Sequence, residues 1–261
     1  MSYTVVQGKL RHLRGWKPDR PDHRDRALPL LMAVKLPAAV DLRQQGTLTP
    51  VDDQGAIGSC VGHGVTEACE SLQLIRKQPR VDLSRLFVYF ATRVWVEGED
   101  PHQDGGCMIR DAMKALRLFG VCKEELWPYI PANYATAPPK ACVTEALSHA
   151  IIAYFRCPNL AAIKLSLAQG YPVVIGFSVP TSMMTSEVDR TGVVPYPASD
   201  EGFVGGHCVL LCGYDDAKNL LTFQNSWGEG WGDKGFGYLP YKYVETWLAD
   251  DFWTVRMATG V

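Results

Sequence analysis

Cys60 stands at the head of a helical pattern, where a cysteine becomes chemically useful. Val61, Val65, Ala68, Leu72 and Ile75 recur at offsets of four and three, which predicts one face of an α-helix that Pro79 must end. The first turn of a helix carries unpaired amides and the positive end of the helix dipole, and both favour a thiolate. A cysteine in that place has a lowered pKa and gains nucleophilicity. Gly55, Gly58 and Ser59 are small enough for another backbone to approach, and Ser59 is a candidate cap. A single cysteine is weak evidence alone, because most are buried packing residues.

The elements that must position it fall into two halves. After the first helix, a second is predicted behind Ser84 with Leu86, Phe87, Phe90 and Val94 apolar, and a third from about Ile109 to Phe119 with Gly120 as its stop. In the second half, Val173-Val174-Ile175, Cys208–Leu211 and Leu220–Phe223 are short β-rich runs separated by turn residues. One helix, about Leu160 to Gln169, interrupts them. Helices first and strands second predict an α+β fold with two lobes, and a cleft between lobes is where a site would sit.

Composition narrows the partners. The 261 residues suit one large domain or two small ones sharing a cleft. A formal net charge of −2 with mixed signs gives no field suited to nucleic acid or an anionic membrane. The longest uncharged stretch, Leu165 to Ser186, is broken by Gly and Pro, so no transmembrane helix is expected. Charges crowd residues 9–26, where a secretory signal would need an apolar core, so the expected location is cytoplasmic, or exported without a recognisable signal. None of the eight cysteines forms a C-x-x-C pair; metal and cofactor sites are not expected, and a reducing compartment is. Residues 1–36 are charged and Pro-containing and read as a disordered tail, although Trp16, Leu28, Leu30 and Leu31 are apolar enough to dock.

Three ordered segments carry a family resemblance. Gln54-Gly55-Ala56-Ile57-Gly58-Ser59-Cys60 resembles the active-site loop of papain and the cathepsins. Gly205-Gly206-His207-Cys208-Val209 resembles that family's histidine strand, and Gln224-Asn225-Ser226-Trp227-Gly228-Glu229-Gly230-Trp231-Gly232 its asparagine segment. His207 falls within the separation of about 130–150 residues usual after such a cysteine, and Asn225 slightly beyond. Leu36–Arg43 looks like the start of a mature member, Asp104-Gly105-Gly106 like the glycine pair that hydrogen-bonds extended substrate, and Trp127-Pro128-Tyr129 like a landmark between the lobes. The likeness covers about residues 36–245 and suggests a bacterial-type papain-like cysteine peptidase with a short atypical N-terminal segment.

The resemblance implies a papain-like two-lobe α+β fold: a mainly helical lobe at about 50–130, a β-barrel-like lobe at about 131–261, and the active site in the cleft. Residues 37–261 would be the peptidase domain; residues 1–36 do not match the family's longer helical proregions and are a candidate pro- or regulatory segment, which would make the chain a zymogen. Cys60 would attack a peptide carbonyl and form a thioester acyl-enzyme, with His207 as acid and base and Asn225 orienting it. Gln54 and the Cys60 N–H would hold the oxyanion, and Trp227 would shield the His207–Asn225 contact. Gly105, Gly106 and Gly206 would bind substrate backbone. Met108, Val173 and Cys208 would line an apolar pocket for the residue two before the scissile bond of an endopeptidase. The implied partners are a peptide or protein and the chain's own N-terminal segment, on a monomer.

The departures are local. The family's cysteine three before the nucleophile is Ile57 here, that cysteine's disulfide partner falls near Gln103, and the aspartate often preceding the histidine is Gly206. His63, three residues after Cys60, is a rival base with no apparent orienting partner and reads as a packing or surface residue; His12, His23, His102 and His149 read as exposed. Two other functions fit the same residues. One is a catalytically silent peptide-binding module. The other is a thiol acyl-transferase, although such enzymes usually use Asp as third member.

Overall fold

The computed structural model describes residues 3–6, 9–29 and 35–259. A hairpin, β1 (Tyr3–Val6) and β2 (Lys9–His12), leads to the short strand β3 (Trp16–Lys17), and β4 (Ala39–Asp41) opens the body. Helices α1 (Cys60–Ile75) and α2 (Arg85–Phe90), strand β5 (Cys107–Met108) and helix α3 (Ile109–Phe119) follow. Then come α4 (Lys140–Ala146), β6 (Ile151–Arg156), α5 (Leu160–Ala168), β7 (Val173–Pro180) and α6 (Ser186–Thr191). The chain ends on β8 (Phe203–Asp215), β9 (Leu220–Gln224), β10 (Phe236–Pro240), α7 (Lys242–Glu245) and β11 (Ala249–Ala258).

Local chemistry accounts for most boundaries. Ser84 Oγ accepts from the Phe87 N–H at 3.2 Å and caps α2, and Asn159 Oδ1 does the same for α5 through Ala162 at 3.0 Å. Beyond Phe90 the chain continues as a π-helical turn, Ala91–Val96, which carries the predicted helix on to Val94 in altered form. α3 stops at Gly120, whose φ of +72° and contact with the Ala146 carbonyl leave no room for a Cβ. Ser59 does not cap α1 with its side chain; its hydroxyl is bonded instead to Tyr129 Oη at 2.5 Å.

A seven-stranded antiparallel sheet runs in the order β10-β9-β8-β7-β11-β6, with β4 also paired to β8. β8 is its spine: Cys208 lies opposite Gly176 and His207 opposite Phe177 on β7, while Leu210 lies opposite Gln224 on β9. One core gathers α1, α2 and α3 with Trp127, and a second gathers Phe177, Leu211, Phe223, Trp231 and Tyr243. The cores do not divide the chain at residue 130. Ile151 on β6 and Trp253 and Val255 on β11 pack in the helical core, and Leu42 packs in the β core. The reason is topological, because β6 and β11 sit at the end of the sheet that α1 and α3 cover. All eight cysteines are buried free thiols.

Residues 13–28 are not a loose tail. Leu13 is buried in the β core and Trp16 in the helical one. Arg14 bridges in parallel with Gly206, and β3 pairs in parallel with β5, Trp16 opposite Cys107 and Lys17 opposite Met108. The Cys107 N–H donates to the Gly15 carbonyl at 3.0 Å. Lys17 pairs with Glu97 at 3.0 Å and with Glu99, Arg110 meets Asp25 at 3.3 Å, and the Leu28 N–H donates to the Arg156 carbonyl at 2.7 Å. Trp16 and Leu28 are thus seated anchors, whereas Leu30 and Leu31 lie outside the described residues.

Candidate active site

Cys60 is the first residue of α1 and is fully buried. Its sulfur accepts from the backbone N–H groups of Cys208 across the cleft, of Val61, and of Cys60 itself. Burial dominates these contacts and pushes the thiol up to about 12, with the charge of Asp104 adding to the rise. The N-terminal segment contributes to that burial. A Cβ at Gly15 would collide with the Cys60 sulfur and lie 2.9 Å from the Gly58 carbonyl oxygen. In this conformation no substrate carbonyl can reach the thiol.

β8 delivers His207 and the residue after β9 delivers Asn225. Asn225 Oδ1 accepts from His207 Nε2 at 2.7 Å and also from the Ser226 N–H at 2.9 Å, so the amide oxygen fixes which ring nitrogen carries the proton. His207 is 1% and Asn225 1% exposed. Trp227 stacks on the imidazole at 4.7 Å and 29°, with Phe177 edge-on at 5.9 Å, so this hydrogen bond sits in apolar, water-poor surroundings. Trp231 in turn backs Trp227 edge-to-face at 5.4 Å.

Gln54 is buried where the loop ahead of α1 meets the β lobe. Its N–H donates to the Ser226 carbonyl at 2.9 Å, its Oε1 accepts from Ser226 Oγ at 2.7 Å, and its Nε2 donates to the Ile57 carbonyl at 2.9 Å. The Ile57 carbonyl, which can only accept, settles which end of the amide is nitrogen, and Nε2 keeps a second N–H for another acceptor. Tyr129 holds both ends of this loop, donating to the Gln54 carbonyl at 2.8 Å while touching Ser59 Oγ.

The groove is lined by glycines pressed against the segment. A Cβ at Gly106 would collide with the carbonyls of Arg14 and Gly15, one at Gly205 with that of Leu13, and one at Gly206 would lie 2.8 Å from Trp16. The Trp16 ring lies on Gly176, and its indole N–H donates to Asp251 Oδ2 at 3.0 Å. Met108 and Cys208 are buried next to this ring's partners on β5 and β8. Val173 is a correction: its side chain packs in the β core, because alternation along β7 and the pairing of Gly176 with Cys208 put Gly176, three residues on, against Trp16. Gly105 is exposed at the groove's edge, near Lys17.

The rival histidine is occupied elsewhere. His63 is buried, its Nδ1 donates to the Ser59 carbonyl at 3.1 Å, its ring packs edge-on against Tyr129, and burial lowers its pKa to about 4. His149 is half-buried against Glu145 at 3.0 Å rather than exposed, and the side chain of His12 lies outside the described residues. Asp104, Tyr89, Ser226, Asp251 and Gly176 escaped the sequence reading. Ser226 and Asp104 stand inside quoted motifs, but Asp251, 235 positions from Trp16, carries no local signal at all. Among the described residues no group of His, Cys, Asp and Glu could hold a metal ion, and no helix is long and apolar enough to cross a membrane.

The profile of the papain family cysteine proteases matches residues 36–248. An uncharacterised peptidase C1-like protein of Acanthamoeba polyphaga mimivirus is 32% identical over 94% of this chain and 87% of its own. Cysteine proteinase 2 of Entamoeba histolytica is 30% identical over 78% of this chain, which spans 63% of that longer protein. The crystal structure of xylellain, a cysteine protease from Xylella fastidiosa, superposes with a TM-score of 0.87 at 34% identity, covering 97% of this chain and 99% of that one.

Proposed function

The chain belongs to the papain family of cysteine proteases, and on that footing we propose that Cys60, His207 and Asn225 hydrolyse peptide bonds with the N-terminal segment as a built-in inhibitor. The observation that carries the reading is the 2.7 Å bond from His207 Nε2 to Asn225 Oδ1, which leaves Nδ1 as the ring nitrogen for the thiol. The thiolate of Cys60 attacks the carbonyl carbon, and the charge that forms on oxygen is met by the free N–H of Gln54 Nε2 and the backbone N–H of Cys60. One such donor contributes roughly 3–4 kcal/mol in the transition state. Imidazolium His207 gives its proton to the departing amine and leaves a thioester on Cys60. His207 then takes a proton from water, the hydroxyl adds to the thioester, and the acid departs as thiol and imidazole are restored. No step calls on a metal or cofactor.

Access and preference follow from the groove. With the segment away, extended substrate runs as an endopeptidase substrate past Gly105, Gly106 and Gly206. The side chain two before the scissile bond enters the slot where Trp16 now sits, beside Met108, Cys208 and Gly176. A large apolar or aromatic side chain fits those walls, and burying one contributes about 1.5–3 kcal/mol. The test is hydrolysis of a fluorogenic peptide by the chain and by Cys60→Ala. The expected result is activity lost with the sulfur; residual wild-type turnover in Cys60→Ala would overturn the assignment.

A further inference from the structure

Asp104 is 5% exposed and close to the site, yet no step above uses it. Its two oxygens accept from the Gly58 N–H at 3.0 and 3.1 Å, and Oδ1 also accepts from the Tyr89 hydroxyl. That hydroxyl accepts from the Gly106 N–H at 3.3 Å. One buried carboxylate therefore joins the loop that ends at Cys60 to the loop that carries the groove glycines. Among the described residues no cation pairs with it. The nearby guanidinium of Arg93 lies over the Tyr89 ring at 4.2 Å and donates to the carbonyls of Pro101, Gln103 and Tyr134.

We propose that Asp104 is a positioning residue for peptide hydrolysis, seating the Gly58 amide and setting, through its negative charge, the pH at which Cys60 ionises. Other titratable groups facing the thiol are His207, the proposed proton partner of the thiolate, the thiols of Cys107 and Cys208, the Tyr129 hydroxyl and, through Cys107, Glu97, which Lys17 neutralises. The first turn of α1 holds no acidic side chain. The Asp104 carboxylate thus opposes the thiolate that the His207 imidazolium favours, because like charges resist forming together.

The inference rests on Cys60 as nucleophile, so its test does not depend on peptide hydrolysis. Alkylation of Cys60 by iodoacetamide, quantified by peptide mapping from pH 5 to 10, reads the thiolate fraction in full-length Gly15→Ala, whose added methyl has no room against the sulfur and displaces the covering segment; the variants below are made in that chain. Asp104→Asn keeps Oδ1 as acceptor for both donors but removes the charge, and should lower the alkylation midpoint by about half a pH unit or more. Tyr89→Phe keeps the charge but removes a donor that disperses it, and should raise the midpoint. Asp104→Ala should also cut kcat on a peptide at least about tenfold with a smaller change in KM. Midpoints that move together, or do not move, in folded Asp104→Asn and Tyr89→Phe overturn the proposal. If Asp104→Asn does not fold, a Tyr89→Phe midpoint that stays or falls does the same. A Gly15→Ala chain that is alkylated at Cys60 but cleaves no peptide would instead defeat the hydrolytic reading.

Discussion

Gly15 lies directly on Cys60, so closely that a Cβ on the glycine would occupy the space of the sulfur. The contact makes residue 15 a lever on the docked state. Gly15→Ala should force the segment outward at a cost of about 1–3 kcal/mol, the usual scale for overpacking. Full-length Gly15→Ala should then cleave a short peptide roughly tenfold faster than wild type and approach a chain beginning at Leu36. Equal kcat/KM for wild type, Gly15→Ala and the shortened chain, all folded, would leave residues 1–35 without an inhibitory role.

Docking should also depend on pH, with a definite sign. Asp19 on the segment and Asp251 on β11 face each other where the Asp19 N–H donates to Asp251 Oδ2 at 2.7 Å. Burial raises Asp19 to about 6, only partly opposed by the Trp253 hydrogen bond and by Arg110 and Arg156, and burial with the charge of Asp19 raises Asp251 to about 7. The docked state therefore holds a proton more firmly than the free segment, whose Asp19 returns to an ordinary value near 3.8. Docking is favoured below about pH 4 and weakens as pH rises through 6 to 7. The ratio of kcat/KM for full-length to shortened chain should climb over that window, by up to about a hundredfold. Asp19→Asn should flatten the climb; a ratio that falls with pH would contradict the carboxyl pair's role.

His207→Ala and His63→Ala should separate cleanly. Removing His207 should reduce kcat by about a thousandfold or more, since the acid and base are one group. His63→Ala deletes a buried ring bonded to the Ser59 carbonyl, so it should lower the melting temperature while most turnover survives at 20 °C. Stopped turnover in folded His63→Ala would reverse the assignment.

The slot under Trp16 makes a prediction about substrates. Its walls are Gly176 and Gly206 and its far end is the Asp251 carboxylate, so a peptide library should show that Trp joins Leu and Phe two before the scissile bond. Asp251→Ala should erase the preference for Trp over Phe, worth about 1–2 kcal/mol for a lost hydrogen bond to a charged acceptor. Library profiles unchanged by that substitution would mean the slot is not where this side chain goes.

The helices around Cys60 were legible because short-range signals coincide there: α3 has its predicted ends, and Ser84 and Gly120 act as cap and stop. The segments around Gln54, Cys60, His207 and Asn225 resemble the family's apart from Ile57 and Gly206, and the structure brings Gln54 to Ser226 and His207 to Asn225. What sequence could not supply was depth and register. Val173 and Gly176 look equally plausible for the slot until β7 is paired with β8, and Leu28 gains meaning only against Arg156, far along the chain. The N-terminal segment misled for a related reason. Its charges read as disorder, yet Asp19, Asp25 and Lys17 find buried or half-buried partners on β11, on α3 and after the turn that follows α2, contacts that no local pattern encodes.

Among the described residues the segment's grip is spread from Leu13 to Leu28. Breaking the chain between Leu28 and Leu36 would leave the buried contacts of residues 13–28 in place and end the tether. A tethered ligand acts at an effective concentration near millimolar, whereas a severed one obeys the number of molecules in solution. Once cut, the complex would stay silent where it is crowded and come alive on dilution, so that spreading out would itself be the trigger.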